Sequence, residues 1–221
     1  MSVGDGNYLG AGDVSSTGYA GRFYPHHFDT VVTPQCGGFV YSGRPGSPTT
    51  TPGQPFSVDA TAKNAAGVTT ANYAGNFAKS TNLSASTGKV YVDAVQGGSG
   101  AIPATAYVAG VGTVLHSVPS GKISFAFDAY PTADTAINVH ADDADSATST
   151  GSDGSVSARS GRLRLLNAYG SELLKLRVPV RAEYYSSTVW RLNTADTCTG
   201  TSISSGMVGL RSAGPTVTVD G

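Results

Sequence analysis

Charge, cysteine and tryptophan are scarce in this sequence. Asp, Glu, Lys and Arg make up 13% of its 221 residues, about half of the ~25% usual in globular proteins. Lys+Arg number 14 and Asp+Glu 15, so bulk electrostatics leave no footprint for a nucleic-acid partner. Long hydrophobic runs are missing too. The most apolar stretch, Ala101 to Leu115, is broken by Pro103, Thr105, Gly110 and Gly112, and no membrane span is expected. Met1 to Gly12 has neither the basic head nor the apolar run of a signal peptide, so an exported protein would have its leader outside this chain. Catalytic motifs are also absent: there is no GxSxG, no GxxxxGK[ST], no HExxH and no CxxC. Gly4-x-Gly6 precedes no helical pattern and carries no nucleotide signal. His26, His27, His116 and His140 are scattered, and the adjacent pair would face opposite sides of a strand, so no histidine metal site is expected. A Ser-His-Asp set can always be assembled on paper from so many serines, and means little. The expectation is a non-enzymatic protein without a required cofactor.

What the sequence does contain is glycine, 29 residues, with 11 Tyr and 7 Phe, enough aromatic material for a packed core. Apolar residues recur at every second position, the period of a half-buried strand. Phe56, Val58, Ala60 and Ala62 alternate in PFSVDATAK, as do Ile123, Phe125 and Phe127, then Ile137, Val139 and Ala141. The longest run is Leu174, Leu176, Val178, Val180, Ala182 and Tyr184. Pro179, on its outward phase, removes a ladder donor and suggests an edge. Turn signals fall between the runs at Pro52-Gly53, Asn64 to Gly67, Gly97-Gly98, Pro119 to Gly121, Asp153-Gly154 and Asn167 to Gly170. This pattern predicts an all-β chain of one or two antiparallel, immunoglobulin-like β-sandwich domains.

Four regions are expected: an N-terminal extension (1–21), a β-sandwich (22–145), a polar loop or linker (146–157), and a second, smaller β domain (158–221) completed by N-terminal segments. Asn-Ala-x-Gly occurs at Asn64 to Gly67 and again at Asn167 to Gly170, as two copies of one hairpin would place it or as chance would, since Asn and Gly populate turns anyway. Charge divides at the same boundary, with 6 basic and 11 acidic residues before Ala158 and 8 and 4 from Ala158 onward. That asymmetry suggests two units with different surfaces.

Three groups of residues are candidate sites. Asp142, Asp143, Asp145 and Asp153 form an acidic, turn-rich cluster whose hard oxygens suit calcium, although the spacing is not that of an EF-hand and a solvated acidic loop explains it as well. A hairpin would bring Tyr184 or Tyr185 close to Trp190, as a stacking platform for a sugar ring or as a core contact. If Leu163 and Leu165 point inward, alternation places Arg162, Arg164, Lys175, Arg177 and Arg181 together on one outward face. Such a face fits an acidic partner or the charged defence of an edge strand. Cys36 and Cys198 fit one disulfide in an oxidising compartment or two buried thiols in a reducing one, and the Ser-, Thr- and Gly-rich, low-charge composition favours the disulfide.

Five blocks occur in order: GRFYPHHF from Gly21, CGGFVYSGRP from Cys36, GQPFSVDATAKNAAGVTTANYAGNFAK from Gly53, SGRLRLLNAYGSELLKLRVPVRAEYY from Ser160, and WRLNTADTCT from Trp190. Together they resemble the large domain of MshQ-type proteins, encoded with the mannose-sensitive haemagglutinin type IV pilus. The stretch from Phe56 to Gly75 also resembles bacterial immunoglobulin-like repeats. The resemblance implies an exported, extracellular or cell-surface protein acting in pilus assembly or adhesion. Its partners would be pilus or cell-surface proteins. The competing readings are a glycan-binding module and, behind it, a hydrolase on a β-sandwich.

Overall fold

A computed structural model describes residues 24–46, 51–92, 100–117, 120–171, 176, 178–197 and 199. The strands in chain order are β1 (His27–Pro34), β2 (Phe39–Tyr41), β3 (Phe56–Lys63), β4 (Thr81–Ala85), β5 (Lys89–Val92), β6 (Gly100–Ile102) and β7 (Tyr107–Val108). There follow β8 (Val111–Val114), β9 (Ile123–Ala126), β10 (Thr135–Asp143), β11 (Gly154–Arg159), β12 (Gly161–Leu165), β13 (Val180–Ser186) and β14 (Val189–Leu192).

The strands form an all-β sandwich with a smaller sheet attached. One sheet runs β5-β9-β3-β8-β7, with β1 also paired to β3; the second runs β2-β11-β10-β4-β6. Alternation builds the layer between them. In β3 the inward positions Phe56, Val58, Ala60 and Ala62 are fully buried, and in β10 so are Ile137, Val139 and Ala141. These join Phe28, Leu83, Ile102, Ile123 and Phe125 in one hydrophobic cluster drawn from both sheets. Among the described strands each ladder is antiparallel except that of β2 with β11, which is parallel, as is the isolated bridge of Gly43 with Ala126.

One end of the sandwich is closed by a buried polar network. Tyr73 donates its hydroxyl to Asp143 at 2.7 Å, and the hydroxyls of Tyr107 and Thr81 lie 2.6 Å apart. Burial, then the bond to Asp143, pushes the Tyr73 phenol upward.

Of the expected loop or linker at 146–157, residues 146–153 belong to the loop between β10 and β11, whereas 154–157 are already in β11, whose Ile137↔Val156 pairing belongs to the second sheet. The polar sequence hides a strand because only Val156 and Ala158 point inward, and two apolar residues do not show a period.

The third sheet has the order β12-β13-β14. Asn167 to Gly170 does not form the expected hairpin turn. β12 stops at Leu165, opposite Val180, and residues 166–179 connect the two strands. Leu166 still donates to the Pro179 carbonyl at 2.9 Å, but Pro179 has no N–H to return, so the ladder ends there.

Candidate functional site

The most elaborate polar and aromatic arrangement lies where the sandwich meets the third sheet. No linker separates them: β11 ends at Arg159 and β12 begins at Gly161. Ser160, the single residue between, is fully buried. Its hydroxyl accepts the Thr132 amide at 3.0 Å, and its carbonyl accepts the Tyr185 amide at 2.9 Å. Asp134 N–H donates to the Tyr185 carbonyl at 3.2 Å. The chain therefore passes directly from one sheet to the other and is clamped at the bend.

Arg159 fills the angle of that bend. Its guanidinium carbon lies 4.4 Å from the centre of the Phe39 ring and 4.5 Å from that of Tyr184, with one ring contributed from each side of the junction. Nε donates to Asp134 at 3.1 Å, and a terminal nitrogen donates to Asn193 at 3.0 Å. Asn193 in turn donates to the Tyr41 hydroxyl at 2.6 Å, and Tyr41 donates to Asp196 at 2.9 Å. Burial is the main cause pushing the Tyr41 phenol upward; the Asn193 bond opposes it and the Asp196 carboxylate reinforces it. Gly161 is required beneath Tyr41, since a Cβ there would sit 2.5 Å from the ring.

The expected aromatic trio divides between two faces. Tyr184 turns toward Arg159, while Tyr185 pairs with Trp190 in register, their ring centres 5.4 Å apart. Tyr130, which no local pattern singles out, stands 6.1 Å from Trp190. Arg162 lies over the Trp190 ring at 4.2 Å.

Arg162, Arg164 and Arg181 share a face, as alternation requires, since Arg164 is registered with Arg181 and Arg162 with Glu183. Lys175 and Arg177 lie outside the described residues. Glu183 partly neutralises this face: it accepts Arg162 at 2.8 and 2.7 Å and lies 3.5 Å from Arg164. The leucines reverse the expectation. Leu163 and Leu165, expected inward, are 55% and 56% exposed; they do oppose the arginines across the sheet, but no described segment covers them.

The bonds from Arg162 lead the causes that hold the Glu183 carboxyl below its usual range. A depressed carboxylate contributes stability that is present above its unfolded pKa and lost as pH falls through its folded one. Acidification below the ordinary glutamate range should therefore release amide protection in β12 and β13 before it does so in β3 and β10. Glu183→Gln should remove that pH dependence, read by hydrogen exchange.

The four candidate calcium ligands are not gathered. Asp142 and Asp143 occupy adjacent, oppositely directed positions of β10. Asp143 instead accepts the amides of Asp145 and Ala147 at 2.9 and 3.1 Å, shaping the turn. Asp153 accepts the Ser149 hydroxyl and lies 3.1 Å from His140 Nδ1. Among the described residues no group of three or more His, Cys, Asp or Glu is placed to hold a metal. The trio Ser149, His140 and Asp153 has the composition of a hydrolase triad but not its geometry. Ser149 is buried and approaches His140 at the same nitrogen, Nδ1, at 3.3 Å, whereas a triad needs serine and aspartate on opposite ring nitrogens.

Cys36 is buried and receives the Gln54 amide at 2.8 Å, while Cys198 lies outside the described residues. No helix among the described residues is long and apolar enough to cross a membrane.

Comparison with known proteins gives two family matches: the third domain of DUF6701 over residues 1–165 and its fourth domain over residues 159–217. They overlap over residues 159–165, the bend and β12. No curated protein and no solved structure matches. The chain belongs to the uncharacterised DUF6701 family and carries its third and fourth domains.

Proposed function

We propose that this chain is a non-enzymatic β-scaffold of an exported, pilus-associated bacterial surface protein, acting in pilus assembly or adhesion. The observation that carries the scaffold reading is the junction. The chain passes from β11 into β12 through the single residue Ser160, which is bonded on both sides, and Arg159 is held between Phe39 and Tyr184. Such a joint fixes the orientation of two domains, whereas a flexible tether would leave them free. The pilus assignment rests on the sequence blocks resembling MshQ-type proteins. Deleting the gene in its native host should reduce surface pili or adherence to host cells; unchanged piliation and adherence would overturn the assignment.

A second reading, a glycan-binding face, is favoured by the cluster of exposed Tyr130 with half-buried Tyr185 and Trp190 beside the arginines. Tyr130 is 46% exposed. Arg164 and Arg181 point the ligand chemistry toward an anionic sugar, because among the described residues of this sheet face Glu183 is the one carboxylate set against three guanidiniums. Binding to anionic glycans on an array should be abolished by Trp190→Ala. It should be weakened and made less salt-sensitive by Arg164→Glu with Arg181→Glu. Binding indifferent to both changes removes this reading.

A further inference from the structure

Alternation sets neighbouring side chains of a strand on opposite faces, which would part His26 from His27. The structure brings them together. β1 begins at His27, so His26 stands in the bend before the strand and escapes the alternation. Its Nδ1 lies 3.0 Å from Nδ1 of His27, with the ring planes at 90° and the ring centres 5.3 Å apart. Backbone bonds hold the pair in place. His26 N–H donates to the Lys63 carbonyl at 2.7 Å, and Phe28 N–H to that of Thr148 at 2.9 Å, tying this stretch to β3 and to the loop between β10 and β11.

The other nitrogen of His27 has a carboxylate beside it. Asp29, two residues along and so on the same side of β1, places Oδ1 3.6 Å from His27 Nε2, and Lys63 Nζ lies 3.7 Å from the second oxygen of that carboxylate. Asp29 therefore favours the tautomer protonated on Nε2, which leaves Nδ1 with a lone pair. Metal-binding histidines are commonly oriented in this way. The spacing also fits two ligands of one ion, because nitrogens ~2.0 Å from a common metal are about 2.8 Å apart at a right angle and about 3.3 Å apart at the tetrahedral angle. The observed 3.0 Å falls between these. Imidazole suits copper, zinc and nickel, and a given nitrogen site binds copper(II) most tightly of the divalent first-row metals. Among the described residues no third His, Cys, Asp or Glu completes the set, so water would fill the remaining positions.

We propose that His26 and His27 chelate a copper(II) ion through their Nδ1 atoms at the entrance to β1, with Asp29 orienting His27. Titration of the 221-residue chain with copper(II), followed by calorimetry and electron paramagnetic resonance, tests the site. One ion per chain is expected, with coupling to two imidazole nitrogens. His26→Ala and His27→Ala should each abolish the two-nitrogen signal, and Asp29→Asn should weaken binding about tenfold, the lower end of the usual cost of losing such an outer partner. His26→Ala keeps the backbone bond to Lys63, so without copper it should melt with the parent chain. Copper should raise the melting temperature of the parent by linkage and leave that of His26→Ala unchanged. His116→Ala, remote in sequence, should bind copper as the parent does. A two-nitrogen signal that survives His26→Ala would overturn the proposal, as would binding unaltered in Asp29→Asn or a parent chain that takes up no copper at one equivalent.

Discussion

Cys36→Ser should cost more stability than any other single change considered for this chain, about 5 kcal/mol by the loop-entropy relation for a closed loop of ~160 residues, with native strain and residual structure lowering the measured value. The reasoning starts from the neighbourhood that Cys36 shares with the chain on either side of position 198. A Cβ on Gly37, at φ +46°, would collide with the Ala195 carbonyl, so the turn after Cys36 lies directly against residue 195. Asp196 accepts the Tyr41 hydroxyl at 2.9 Å and the Thr199 amide at 2.9 Å, anchoring the chain on both sides of Cys198. A Cys36–Cys198 bond would therefore close a loop whose ends are already in place. Alkylation of the denatured protein should label no thiol before reduction and two after it. Two labelled thiols without reductant would refute the bond. Melting of the Cys36→Ser variant should fall by roughly 10–20 °C, at the 2–4 °C per kcal/mol typical of a chain this size.

Arg159→Ala should cost about 3 kcal/mol and act on the junction rather than on the sandwich. The variant loses two cation–ring contacts worth about 1 kcal/mol each when partly desolvated, and leaves Asp134 and Asn193 without their charged donor. Arg159→Lys should restore little of this, because an ammonium cannot lie flat between Phe39 and Tyr184 while reaching two acceptors. Hydrogen exchange should quicken at Tyr185 and in β12, and proteases should gain a site near Ser160. An Arg159→Ala protein as resistant to cleavage there as the parent chain would show that the bend is held by Ser160 and its backbone bonds alone.

Alternation at single-residue resolution was legible in the sequence because a strand buried on one side must repeat every two residues. That rule placed Phe56 to Ala62 and Ile137 to Ala141 in the core and separated the arginines from Leu163 and Leu165, while leaving open whether Tyr184 or Tyr185 would meet Trp190, which the register of β13 with β14 decides for Tyr185. It failed where burial involves too few apolar side chains to reveal a period. The start of β11, with its serines and glycine, passed for part of a loop or linker because its partners β10 and β2 supply the ladder while Val156 and Ala158 supply its buried contacts. The rule also failed where a backbone group is missing: Pro179 ended a run that continues apolar through Leu174.

By itself the sequence determined the class of this protein, all-β with a packed sandwich, since hydrophobic period is a local property that survives any arrangement of the strands. It also determined which side chains share a face within each strand. Only the tertiary structure decided which faces meet. Arg159 acquired its two rings from residues 39 and 184, Trp190 acquired Tyr130, and the acidic cluster around Asp143 was divided between a turn and a tyrosine. Those outcomes depend on the packing of segments up to about 150 residues apart, and contacts at that separation leave no periodic trace in a single chain.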